Sequence, residues 1–229
     1  MPWSVPFLSD AQLDSAAREL LGMYAKWQGA PAKPPIDVDN IVEGVLGLDF
    51  GITDLKQLLG IDDVLGATWF DHKRVRIDAS LEGVEGRFAF TVAHELGHWQ
   101  LHRPHYLLDK SGLGLFTSTP GGSAVPAVVC RNSKKDRAEH QADGFASRLL
   151  MPRGAILDTV KELCGPRPPA WSGLKKHLDA RTVDPRLRTF ASSVIDQGNF
   201  SNVSNEAMRI RLVQLGVVRD ADEIPPQLF

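Results

Sequence analysis

The stretch Thr91-Val-Ala-His94-Glu95-Leu-Gly-His98-Trp-Gln-Leu-His102 contains the pattern H-E-x-x-H. On a helix, residues four apart sit one turn apart along the axis and are offset by about 40° around it. His94 and His98 can therefore aim neutral imidazoles at one tetrahedral metal ion. Glu95 projects near the open coordination position, where it can serve as a general base on water. With 7 His and 9 Glu in 229 residues, a shuffled chain would carry this pattern about once per hundred sequences, so its surroundings must support it.

They do. With about 100° per residue, Arg87, Thr91, His94, Glu95, His98 and His102 fall in one sector of the helix. Phe88, Val92, Leu96 and Trp99 form an apolar stripe, and Phe90, Ala93, Gly97 and Leu101 form another beside it. A helix apolar over most of its circumference is buried, so its polar sector must face a cleft, a metal or a satisfied network. A hydrogen-bonded histidine cluster without metal is the alternative, but it would need many partners for strongly polar groups.

Two histidines do not complete a site, because hydrolytic zinc takes three protein ligands and keeps a fourth position for water. Asp136-Arg-Ala-Glu139-His-Gln-Ala-Asp143 supplies the missing chemistry. Glu139 and Asp143 are again four apart, so one carboxylate can bind metal while the other accepts a hydrogen bond from a liganding imidazole. Ala142 and Ala146 keep that face small. His102 reads as structural, near a helix end where an imidazolium suits the dipole, and His105 and His140 as solvated or supporting. Tyr106 and Arg131 are candidates to reach the oxyanion. Cys130 could be a redox-active or metal-blocking thiol, although a buried inert cysteine is the simpler reading.

The elements that must position these groups are legible in outline. Ser9 and Gln12 form a capping-box pair that opens a helix to Gly29, with Leu13, Ala17, Leu20, Leu21, Tyr24 and Trp27 at helical spacing; Pro31-Ala-Lys-Pro-Pro35 ends it. A short helix follows over about 37–46, capped by Gly47. Gly66-Ala-Thr-Trp-Phe70 and Arg74-Val-Arg-Ile-Asp78 alternate as two strands of a hairpin, and the strand ending near Asp78 is expected to pair with an extended substrate segment. The H-E-x-x-H helix is predicted over about 81–102. A Gly-, Ser- and Pro-rich connection over 103–135 has lid-like length. A helix over about 136–150 stops before Pro152. Gly165-Pro-Arg-Pro-Pro169 marks a boundary, beyond which helices open at Ser172, Asp184-Pro185 and Ser204, the last closed by Gly216. The expected domains are thus 1–165, with the insertion, and 170–229.

Composition sets the outer limits. With 26 Lys+Arg against 28 Asp+Glu and 43 % apolar residues, the chain suits a globular protein rather than a disordered or fibrous one. No apolar run approaches the roughly 20 residues of a spanning helix, and the first residues lack the flank of a secretion signal, so a cytoplasmic location is expected. Cys130 and Cys164 stand apart, which leaves no thiolate zinc cluster. Trp171 to Arg219 carries eight Lys/Arg and four Asp/Glu, an excess too mild to assign DNA binding; a solvated face or a protein-recognition surface fits as well.

His94-Glu-Leu-Gly-His-Trp-Gln-Leu-His102, with Glu139-His-Gln-Ala-Asp-Gly-Phe-Ala-Ser-Arg-Leu-Leu-Met-Pro152, resembles the ImmA/IrrE family of metallo-endopeptidases, and the second motif is the more specific. Gly66-Ala-Thr, Arg74-Val-Arg-Ile-Asp78 and Val203 to Gly216 support the likeness, which runs from about Pro35 to Val218. The long insertion before Glu139 departs from the family pattern. The resemblance implies Zn²⁺ on His94, His98 and Glu139, Glu95 as catalytic base, and an α+β, mostly helical, zincin-like core with a small sheet and a helix-turn-helix-like C-terminal module. It also implies a protein substrate, a helix-turn-helix repressor of the Xre type, whose cleavage releases genes of mobile elements or of stress and DNA-damage responses. Two other classes remain: a regulator that binds its partner around a structural metal, and a metallohydrolase of small molecules. An intact Glu95 weighs against the first, since a structural site needs no general base.

Overall fold

A computed structural model describes residues 5–112, 125–131 and 136–223. The chain divides into two compact units, one containing the N-terminal stretch to Ala32 and Ile36–Leu150, the other Lys33–Pro35 and the chain from Met151 on.

In the first unit, α1 (Asp10–Gln28) has the predicted capping box: the Ser9 hydroxyl accepts the Gln12 N–H and the Gln12 side chain accepts the Ser9 N–H. Leu13, Ala17, Leu20 and Tyr24 form its buried stripe, and Gly29 ends it at φ 72°. A short helix α2 (Val38–Asn40) widens into a π turn over Ile41–Val45. Then come β1 (Asp49–Thr53), α3 (Leu55–Leu59), β2 (Val64–Trp69) and β3 (Arg74–Asp78). The sheet order is β1-β3-β2-β4, with β4 at Val128–Arg131; β1 runs parallel to β3, and β2 is antiparallel to β3 and β4. β3 therefore has a partner on each side and cannot take up a substrate strand, contrary to the sequence expectation. The outer strands are β1 and β4.

Alternation, shifted by an irregularity between Val64 and Gly66, divides β2 between two environments. Val64, Ala67 and Trp69 pack with Leu55 in one apolar cluster, while Gly66 and Thr68 meet side chains of the H-E-x-x-H helix on the other face. That helix, α4 (Glu85–Gly97), starts later than its periodicity suggests and does not stop at His102. It passes through a π turn, His98–His102, and continues as α5 (Arg103–Gly112). The wider turn spreads the backbone just ahead of Pro104, which has no N–H to give and a ring that crowds the preceding turn of a regular helix. The expected 103–135 connection is thus a helix at its start and a strand near its end; Thr117–Ser123 lies outside the described residues.

α6 (Arg137–Leu150) is opened by Asp136, whose carboxylate accepts the N–H groups of Ala138 and Glu139 at 2.9 and 3.2 Å. α4 and α6 cross closely: a Cβ on Gly97 would stand 3.0 Å from the Ala142 Cα. Any larger residue at Gly97 would push the two helices apart, and with them the groups they share.

The second unit is helical: α7 (Arg153–Cys164), α8 (Leu174–Asp179), α9 (Pro185–Gln197) and α10 (Asn205–Gln214). The sequence boundary at 165–170 falls inside this unit, because α7, unrecognised from sequence, packs with α9. Asp184 caps α9 and Ser204 caps α10, as expected. The two helices are joined by a turn through Gly198 and Asn199. α8, expected to open at Ser172, starts after Gly173 without a side-chain cap. No helix among the described residues is long and apolar enough to cross a membrane.

A candidate metal centre between α4 and α6

The crossing of α4 over α6 brings His94 and His98 against Glu139. His94 Nε2 stands 3.2 Å from Glu139 Oε2, His98 Nε2 stands 3.3 Å from Glu139 Oε1, and the two Nε2 atoms are 2.9 Å apart. All three residues are buried, at 2, 0 and 6 % exposure. Asp143 reaches His94 from the next turn of α6, with its Oδ1 2.9 Å from Nδ1.

The hydrogen bonds behind these atoms determine their protonation. Gln141 Nε2 donates to the Pro6 carbonyl at 2.7 Å, so its Oε1 is the atom turned to His102, 3.0 Å from Nε2. His102 Nε2 must then carry a proton, which leaves His102 Nδ1 as acceptor for the His98 Nδ1–H at 2.9 Å. His98 Nε2 is left with a bare lone pair. Asp143, an acceptor, fixes the His94 proton on Nδ1 in the same way and bares its Nε2. Two lone pairs and a carboxylate thus converge in a buried space, with ligand atoms within 4.8 Å of one another. Such a set could hold a cation, and two imidazoles with one carboxylate are a donor set that suits zinc.

Titration follows the same logic. Burial, with the His94 charge, brings His98 down to about 3. Burial acts to lower His94 as well, but Cys130 and hydrogen bonds to Asp143, Cys130 and Glu139 raise it well above its ordinary value. Burial acts to raise Glu139, yet the imidazoles of His94 and His98 packed against its two oxygens hold it well below the usual carboxylate range. A proton or a metal ion between the imidazoles satisfies all three groups.

Glu95 lies beside this set. Its Oε2 accepts a 2.6 Å hydrogen bond from the Thr68 hydroxyl, while its Oε1 is buried without a partner. Room for it comes from Gly66, where a Cβ would lie 2.6 Å from that oxygen. Burial pushes Glu95 up to about 7, against the pull of His94 and the Thr68 bond.

His94, His98, Glu139 and Asp143 are therefore brought together, with Glu95 adjoining. His102 is not an imidazolium at a helix end: it is buried within the π turn, its pKa lowered by burial, and it orients His98. Tyr106 donates to Asp71 at the β2/β3 turn at 2.8 Å instead of facing the ligands; the Arg131 side chain lies outside the described residues. His140 is exposed and His105 half-buried. Cys130 is buried, as expected, but it is hydrogen-bonded to His94. Gly66, Thr68 and Gln141 carried no sequence signal of their role, because each acts across more than 25 residues of chain.

Residues 48–163, which span β1 to α7, match the family described as the IrrE N-terminal-like domain, a peptidase family. No curated relative matches the chain.

Proposed function

Since the chain belongs to the IrrE N-terminal-like family of metallopeptidases, we propose that it is a zinc-dependent endopeptidase acting in the cytoplasm on a protein, a helix-turn-helix repressor of the Xre type. Cleavage would release genes of a mobile element or of a stress or DNA-damage response. The reaction rests on one observation: two bare imidazole nitrogens and a carboxylate converge between α4 and α6, with a second, unliganded carboxylate beside them. The choice of repressor rests on the family resemblance.

His94, His98 and Glu139 would hold the ion, and Asp143 and His102 would orient the two imidazoles. Zinc bound there supplies Lewis acidity toward a peptide carbonyl and its attacking water. Glu95 takes the proton from that water. Thr68 occupies Oε2, so Oε1 is the free acceptor, and it returns the proton to the departing amine. A group titrating near neutrality can do both. An extended substrate would lie along the outer edge of β4, the strand that carries Cys130 beside His94.

The test is co-expression with candidate Xre-type repressors, followed by mass measurement of fragments. Glu95→Gln, which keeps size and removes the base, is expected to abolish fragments while the protein still binds one zinc. Cleavage at an unchanged rate would overturn the mechanism.

A further inference from the structure

Cys130 lies opposite Gly66 in the antiparallel pairing of β2 and β4. Its Sγ, a ring nitrogen of His94 and a carboxylate oxygen of Glu95 all lie within 4.8 Å of one another. Two metal-capable groups therefore overlap at His94, one with His98 and Glu139, the other with Glu95 and Cys130. The first offers three donors, and tetrahedral zinc requires a fourth. A general base must stand on the side of that fourth position, and Cys130 shares the side of Glu95. A separate observation points the same way: Glu95 Oε1 is fully buried with no hydrogen-bond partner. Such an atom is costly in a finished core and expected in a site built around a group still to bind.

We propose that Cys130 is the fourth ligand of a resting form of this centre. Its thiolate occupies the place the attacking water must take, and hydrolysis begins only once the sulfur has left. The proposal rests on the reading that His94, His98 and Glu139 hold the metal. On coordination the S–H bond breaks, a metal–sulfur bond forms and the proton goes to solvent; no electron is transferred. Sulfur is the preferred donor for zinc over water, so the resting form needs no further contact to hold it.

Cobalt(II) is the probe, in a Cys164→Ser background that removes the exposed thiol. The cobalt-loaded protein is expected to show near-ultraviolet sulfur-to-cobalt charge transfer together with the visible bands of a four-coordinate centre. Cys130→Ala should lose the charge-transfer band entirely and still bind one cobalt per chain. No charge-transfer band in the parent, or its persistence in Cys130→Ala, overturns Cys130 as ligand while leaving the three-residue centre standing. Failure of the parent to bind cobalt at all overturns the centre, and with it this proposal. If Cys130→Ala does not fold, X-ray absorption at the zinc edge of the zinc-loaded Cys164→Ser protein decides. One sulfur neighbour at about 2.3 Å supports the assignment, and a shell of nitrogen and oxygen alone overturns it.

Discussion

The two units bury polar groups in opposite ways. In the C-terminal unit the buried charged groups Asp184, Asp220 and Arg211 each bond to backbone groups of the same unit. Asp184 caps α9 and pairs with Arg186 two residues on, Asp220 accepts the Lys175 and Asp222 N–H groups, and Arg211 donates to the Met151 carbonyl. In the first unit His94, Glu95, His98, His102 and Glu139 are packed together inside the protein. Three of them face one another through bare acceptor atoms, and Glu95 keeps one oxygen without a partner. Burial of that kind works against folding unless a cation repays it. The contrast shows that buried charge alone does not mark a site. What marks one is buried charge whose mutual needs the protein itself does not satisfy.

The largest effect should come from Glu139→Ala. It should weaken zinc by more than the ~100-fold that outer partners command, so that dialysis strips the metal; full stoichiometry after dialysis would remove Glu139 from the ligand set. Next is the chain that orients His98. Gln141→Leu breaks the link from the Pro6 carbonyl to His102 and should cost about 10–100-fold in metal affinity without touching a ligand. Competition with a chelating dye measures it, and unchanged affinity would mean that His98 needs no such support.

Glu95→Gln should stabilise the chelator-treated protein. The Glu95 carboxyl rises from 4.5 to about 7 on folding, so the folded state holds its proton more tightly than the unfolded chain. The resulting stability is complete below pH 4.5 and lost as pH rises through 7. The advantage of Gln should therefore be absent at pH 4, grow between 4.5 and 7, and level off at about 3 kcal/mol above. Denaturant titrations at several pH values test this, and a pH-independent difference would contradict the buried-carboxylate account. The smallest effect belongs to the other unit. Ser204→Ala removes the cap of α10 and should cost about 1 kcal/mol, with cobalt spectra unchanged.

Much of this was legible in the chain. The four-residue spacings of His94 with His98 and of Glu139 with Asp143 declare common faces, because helical geometry is local. Caps at Ser9, Asp184 and Ser204 declare helix starts for the same reason. Errors arose where a local signal met a nonlocal solution. The H-E-x-x-H helix reads as ending at about 102, yet a π turn carries it on through Pro104. The hairpin of β2 and β3 is readable from alternation, but nothing in Asp49–Thr53 or Val128–Arg131 announces that these strands flank it and place β3 in the interior of the sheet.

By itself, then, the sequence determined which side chains share a helix face and which chemistry those types permit. Tertiary structure alone decided that the two faces meet, through the close approach at Gly97 and Ala142. It also decided that Gly66 and Thr68 cradle Glu95, that Gln141 sets the tautomer of a histidine it never touches, and that Cys130 stands beside His94. The physical reason is range. Spacing and capping act over a few residues, whereas desolvation, tautomer and coordination depend on atoms brought together from distant parts of the chain.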